Sequence, residues 1–163
     1  NQIKWKKNKK DWKSMIEGKT GFLLIDAAMM QLKITGYIST RGRLLLATFW
    51  IKYLMISPFD PIYGSQVGFS KYSIDSVTFQ NKFNHARIVN DYSLIEGQLT
   101  NNNMNTLRID NSIIRSFDDD GVYIKTWLPQ YKDLDVHDMI NHKTIFDWEA
   151  RYSEYCNLFA DII

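Results

Sequence analysis

At 163 residues and 19.2 kDa, with 45% hydrophobic and 23% charged residues, the chain is one globular domain's worth or part of one. Folding at this size buries roughly 70% of the unfolded surface, so the core needs no metal or disulfide staples. The single cysteine, Cys156, excludes a disulfide-framed secreted module and favours a reducing compartment, so an intracellular setting, cytoplasm or nucleus, is expected. The longest apolar stretches, 22–30 and 44–56, are broken by Asp26 and Lys52, so no membrane span and no membrane partner are expected. The first residues lack the apolar core of a signal peptide, and because the chain opens with Asn1 it reads as a partial or processed sequence.

In residues 1–20, seven lysines against Asp11 and Glu17 give a net charge of +5 and leave −3 for the remainder, against +2 overall. Such an arm could steer a polyanion to one end. Interleaved with Trp5, Trp12 and Ile16, it reads first as the solvated face of a helix. Between Phe22 and Thr35, Leu24, Ile25, Ala28, Met29 and Leu32 recur at three-and-four spacing, which predicts a helix stopped by Gly36. Ser39 or Thr40 can cap the next helix, which is apolar nearly all round and therefore central, and which is expected to run to Ile56 before Ser57-Pro58 ends it. Asp60-Pro61 reads as a cap and first-turn proline, and Asn101-Asn102-Asn103 as a loop. Helical pattern returns over Gly121 to Trp127 and over Lys143 to Phe159. No stretch alternates with period two between hairpin turns, so the fold class is all-α, a single helical domain over residues 1–163.

Several chemistries find no support. His85, His137 and His142 are scattered without a second cysteine, so zinc-finger spacing is absent and no metal site is expected. The eight glycines never form a phosphate-cradling loop. Cys156, between Tyr155 and Leu158 on a helical pattern, reads as a small core residue. Asp118-Asp119-Asp120 lacks the downstream Glu of a calcium loop and reads as a solvated turn before a helix. Arg41 and Arg43 stand out more. They open an apolar helix, and a guanidinium drawn inward there needs a counter-charge, for which Asp26 and Asp75 are candidates. Such a pair beside a cavity can hold a flat heteroaromatic ring. It can equally be an internal ion pair that fixes helix packing.

At these residues the sequence resembles the photolyase/cryptochrome family, in the C-terminal part of its helical FAD-binding domain. Gly18-Lys19-Thr20-Gly21-Phe22-Leu23-Leu24-Ile25-Asp26-Ala27-Ala28-Met29 is similar to G-K-T-G-[FY]-P-x-[VI]-D-A-x-M, with Leu23 in place of proline. Thr35-Gly36-Tyr37-Ile38-Ser39-Thr40-Arg41-Gly42-Arg43 resembles T-G-[WFY]-M-[HS]-N-R-x-R, in a flavour closest to the DASH-type cryptochromes. Ala47-Thr48-Phe49 with Lys52 and Leu54 resembles A-[ST]-F-x-x-K-x-L, and Ile74-Asp75 with Asn81 and Asn84 resembles L-I-D-x-D…N-x-G-N-W. Arg108-Ile109, Asn111, Phe117-Asp118, Gly121, Tyr123-Ile124 and Trp127-Leu128-Pro129 resemble R-x-F-N…F-D-x-x-G-x-Y-I-x-x-W-x-P, and Asp147 with Ala150-Arg151 the closing V-D-H-x-x-A-R.

The resemblance implies an all-α fold cupping FAD, and light-driven splitting of a pyrimidine dimer flipped out of DNA. By position, Arg43 and Asp75 would form the ion pair along the isoalloxazine, Asn81 would face the flavin N5 as the catalytic residue, Arg41 would lie beside the pocket, and Arg108 would touch a DNA phosphate. Thr40 stands for the motif asparagine, Val77 for the second aspartate, and His85 and Pro61 or Ile62 for two tryptophans of the family's electron-transfer chain, so photoreduction by that route is not expected. The family's N-terminal antenna domain and FAD-phosphate loop would precede Asn1, and a missing N-terminal half is the implied partner beside damaged DNA. The alternative expectation is a degenerate cryptochrome-like helical module that binds a partner protein without catalysis.

Overall fold

The computed structural model describes residues 4–57 and 109–160, and all of their regular structure is helical, with no strand among the described residues. Asn8 caps α1 (Lys9–Ile16) by accepting the Asp11 amide at 3.1 Å. Trp12 and Met15 face inward, while Lys9, Lys10 and Lys13 stay in water. The lysine-rich stretch is thus the solvated side of an amphipathic helix, as its spacing suggested.

The loop 17–22 leads to α2 (Leu23–Thr35), which Gly36 ends in a left-handed conformation, φ 67°. Ser39, not Thr40, caps α3 (Thr40–Thr48), its hydroxyl accepting the Gly42 amide at 3.2 Å. From Phe49 to Leu54 the helix widens into a π-helical stretch, and Met55 turns left-handed, φ 56°. The helix therefore closes two residues before the expected Ile56. Its stop is bound to the N-terminal segment, where Lys6 N donates to Met55 O at 2.7 Å.

In the second described segment a short 3₁₀ turn (Asn111–Ile113) runs into α4 (Ile114–Phe117), followed by α5 (Val122–Trp127), a 3₁₀ turn (Pro129–Tyr131), α6 (Val136–Ile140) and α7 (Trp148–Ala160). Helix α7 starts five residues later than the pattern from Lys143 suggested. Residues 143–147 serve instead as a strap across loop 17–22, with Ile145 N donating to Thr20 O at 2.8 Å, and Asp147 caps α7 by accepting the Glu149 amide at 2.8 Å.

Helix α2 lies between two apolar clusters and is buried nearly all round. Ile25, Ala28, Met29 and Leu32 pack with Trp12, Met15, Leu46, Phe49, Trp50 and Tyr53 in the larger one. Leu23, Leu24 and Ala27 pack with Ile114, Ile124, Leu128 and Met139 in the smaller. Helix α3 and its π extension share the first cluster, so the structure has two central helices where the sequence suggested one. Helix α7 closes the larger cluster against the π stretch. No helix of the described residues is long and apolar enough to cross a membrane.

Candidate functional site

The start of α3 carries the two arginines singled out from the sequence. They are two positions apart, so the helix turns them roughly 200° from one another and gives them different surroundings. Arg41 is exposed and lies over the Phe117 ring, 5.0 Å from its centroid, joining α3 to α4. Arg43 is half-buried, and its amide donates to Ser39 O at 3.0 Å, so its backbone is held by the cap. Asp75, Asn81 and Arg108 lie outside the described residues, as do the expected turn at Asp60-Pro61 and the loop at 101–103.

Asp26, the other candidate counter-charge, is corrected by the structure. It is 1% exposed, but its oxygens are bound locally: Oδ1 accepts from Thr20 N at 3.0 Å and Thr20 Oγ1 at 2.6 Å, and Oδ2 from Gly21 N at 2.9 Å. It closes the loop before α2 and is not an arginine's partner. Burial pushes its carboxyl above the usual range, against the opposing pull of those hydrogen bonds.

Three residues missed as structural determinants support this frame. Asn111 is buried: its Oδ1 accepts from Leu23 N at 2.9 Å, and its Nδ2 donates to Gly21 O at 2.9 Å and His142 O at 3.3 Å. Asp118, expected in a solvated turn, is buried, and it accepts the first-turn amides of α5 from Tyr123 at 3.0 Å and Ile124 at 2.9 Å. Tyr53 accepts the Ile109 amide on its hydroxyl at 2.8 Å, which fixes the chain directly after Arg108. The sequence signal for Asn111 and Asp118 is a place in a motif, which gives a residue type without a partner, and Tyr53 falls on an unspecified motif position in an apolar helix.

Lys52, on the π stretch, is 3% exposed. Burial pulls its ammonium down from the ordinary 10.5 to about 8, and the Cys156 thiol on α7 opposes that shift. Cys156 itself is half-buried at the edge of the larger cluster and not inside it. Among the described residues no three His, Cys, Asp or Glu side chains converge on a metal position.

The all-helical fold and the capped, half-buried Arg43 at the head of α3 agree with the helical domain whose motifs the sequence resembles. The chain belongs to the family described as the FAD binding domain of DNA photolyase, whose model matches residues 1–158. It is similar to the deoxyribodipyrimidine photo-lyase of Escherichia coli, 28% identical over 148 residues, covering 82% of this chain and 26% of that protein. A cryptochrome DASH of Gloeobacter violaceus is 32% identical over 134 residues, covering 81% and 24%. Both classes match at similar identity, so the likeness gives the Arg-Gly-Arg flavour only slight weight. The archaeal photolyase of Sulfolobus tokodaii, solved with two FAD molecules, has the same fold, with a TM-score of 0.76 at 23% identity over 98% of this chain and 37% of that one. The chain spans about a quarter of the length of these curated relatives. The family's cofactor is FAD.

Proposed function

We propose that this chain is the C-terminal portion of the FAD-binding region of a light-driven DNA repair protein that splits pyrimidine dimers, active when the rest of a photolyase completes the pocket. On this reading residues 1–163 form one helical domain, and the groups that hold the FAD phosphates come from chain outside this sequence. The observation that carries it is Arg43: a half-buried guanidinium on a capped helix of a chain that matches the family over residues 1–158.

The described part of the site suits a flavin. A planar, permanently charged fork on a fixed helix start can donate to ring acceptors and hold a carboxylate beside them. Bound flavin supplies the light-driven electron. The chain's own residues would orient it: Arg43 with Asp75 would pair beside the ring, Asn81 would face its N5, Arg41 would flank the pocket, and Arg108 would contact a DNA phosphate.

The test is to join the chain to the N-terminal part of a photolyase and record flavin absorbance, then light-dependent loss of thymine dimers from an oligonucleotide. A yellow protein that repairs only in light supports the reading. A colourless protein favours the interaction module instead. DNA affinity through Arg108 and the lysine arm must fall steeply with salt.

A further inference from the structure

The first and last described elements are joined by charge. Lys6 Nζ lies 2.7 Å from Glu154 of α7, and Arg151, also on α7, reaches Asp11 of α1 at 3.2 Å and Glu154 at 3.6 Å. Asp11 accepts as well from Asn8 Nδ2 at 2.7 Å, and the Arg151 guanidinium lies over the Phe146 ring, 4.7 Å from its centroid. Arg151 and Asp11 are shielded, their side chains 18% and 14% exposed, while Lys6 and Glu154 stand at the rim, at 31% and 40%. A network of this kind holds harder than an isolated surface pair, and salt still weakens it. The segment that carries Lys6 is itself fixed. Lys6 N donates to Met55 O at 2.7 Å, at the left-handed stop of the π stretch, and Trp5 packs on the larger cluster.

The apolar hold on α7 is slighter. Trp148 and Tyr152 pack against the larger cluster but stay partly exposed, and none of the described side chains of α7 is fully buried. In α2, by contrast, every residue from Leu23 to Met29 is buried, and Leu32 with them. On the π stretch against which α7 packs, Lys52 is 3% exposed, with Cys156 of α7 near it. Closing a helix over an ammonium takes that charge out of water, which opposes closure. Elements with few buried apolar side chains open on their own, at a lower free energy than the whole domain.

We infer that α7 is a charge-clasped cover: the Asp11–Arg151–Glu154–Lys6 network holds it over the π stretch, and the helix opens as a unit, uncovering that edge of the larger cluster, while α2 and α3 stay folded. None of the four residues is assigned to the flavin, so the clasp does not rest on that reading.

Hydrogen exchange of the full chain, followed by mass spectrometry of peptides from α7 and from α2, tests it. The α7 amides should exchange about tenfold or more faster than those of α2. Raising sodium chloride from about 0.1 M to about 1 M shortens the screening length from about 10 Å to about 3 Å, and should speed α7 about threefold while leaving α2 unchanged. Glu154→Lys, which turns both attractions of Glu154 into repulsions, should speed α7 about tenfold. Adding Lys6→Glu to that variant should bring α7 back to within about threefold of the parent. Equal protection of α7 and α2, exchange in α7 that ignores salt, a Glu154→Lys protein whose α7 exchanges like the parent's, or a second substitution that restores nothing would each overturn the inference. Should Glu154→Lys unfold the chain, the salt response of the parent decides alone.

Discussion

Asn111 Oδ1 accepts the amide of Leu23 at 2.9 Å, so one side chain from the second described segment receives the first N–H of α2. A helix start needs acceptors for its free amides, and Phe22, at the cap position, supplies none from its side chain. The same amide group of Asn111 donates to Gly21 and His142, which makes it the knot joining loop, helix and strap. Asn111→Ala should therefore cost about 2–4 kcal/mol, since it leaves a buried N–H and two carbonyls without their partner. Urea unfolding of the variant checks this, and a midpoint within error of the parent's would contradict it.

Asp118 and Asp119 are adjacent, of one residue type, and opposite in role. Asp118 is 7% exposed and accepts two amides of the first turn of α5, where the helix dipole also favours its charge. Asp119 is exposed. Asp118→Ala should destabilise by about 1–2 kcal/mol, as loss of a capping carboxylate does, while Asp119→Ala stays within about 0.5 kcal/mol of the parent. Thermal unfolding of the two variants side by side is the measurement, and equal shifts would show that the burial of Asp118 contributes nothing.

This pair also shows how far the sequence could be read. Periodicity located α2 and α3 to within a residue or two at most ends, because the apolar stripe and the Gly36 and Ser39 signals are local. It could not separate Asp118 from its neighbours, because burial there depends on Ile124 and Leu128 packing against α2. The pattern over 143–147 reads as helix for a similar reason: its backbone is held by Thr20, more than a hundred residues earlier, and no local pattern reports such a bond. Of the site, the motif supplies Arg41 and Arg43, and the structure exposes the first and half-buries the second. Asp26 reads as a counter-charge on its apolar surroundings alone, while its partners are the Thr20 and Gly21 amides of its own motif.

Lys52 gives the fold a pH dependence of definite sign. Its folded value is about 8 against the ordinary 10.5. Between those two values the unfolded chain keeps a proton that the folded chain has released, so this group makes stability rise with pH across that window. Below about 8 both states are protonated and the cost of burying the charge is fully present. The difference in melting temperature between the parent and Lys52→Met should therefore move in the parent's favour from pH 8 to pH 10. Other titrating groups, such as Tyr123, raised to about 12 by burial, cancel in that difference. A difference that stays flat across the window would remove Lys52 as the source.

Arg41 and Arg43 should separate by experiment as they do in space. Arg41 is exposed, and its stacking on Phe117 is worth about 0.5–1 kcal/mol at such a site, so Arg41→Ala should lower stability by no more than that. Arg43 is half-buried on the capped turn of α3, and on the proposed reading it faces both Asp75 and the flavin ring. Arg43→Ala should then leave a buried carboxylate without its counter-charge, destabilise the domain more than Arg41→Ala, and abolish flavin absorbance in the completed protein. Arg43→Lys should restore part of the stability through its charge but little of the flavin, because an ammonium lacks the planar fork. Equal melting temperatures for the two alanine variants, or a yellow Arg43→Ala protein, would detach this arginine from the cofactor.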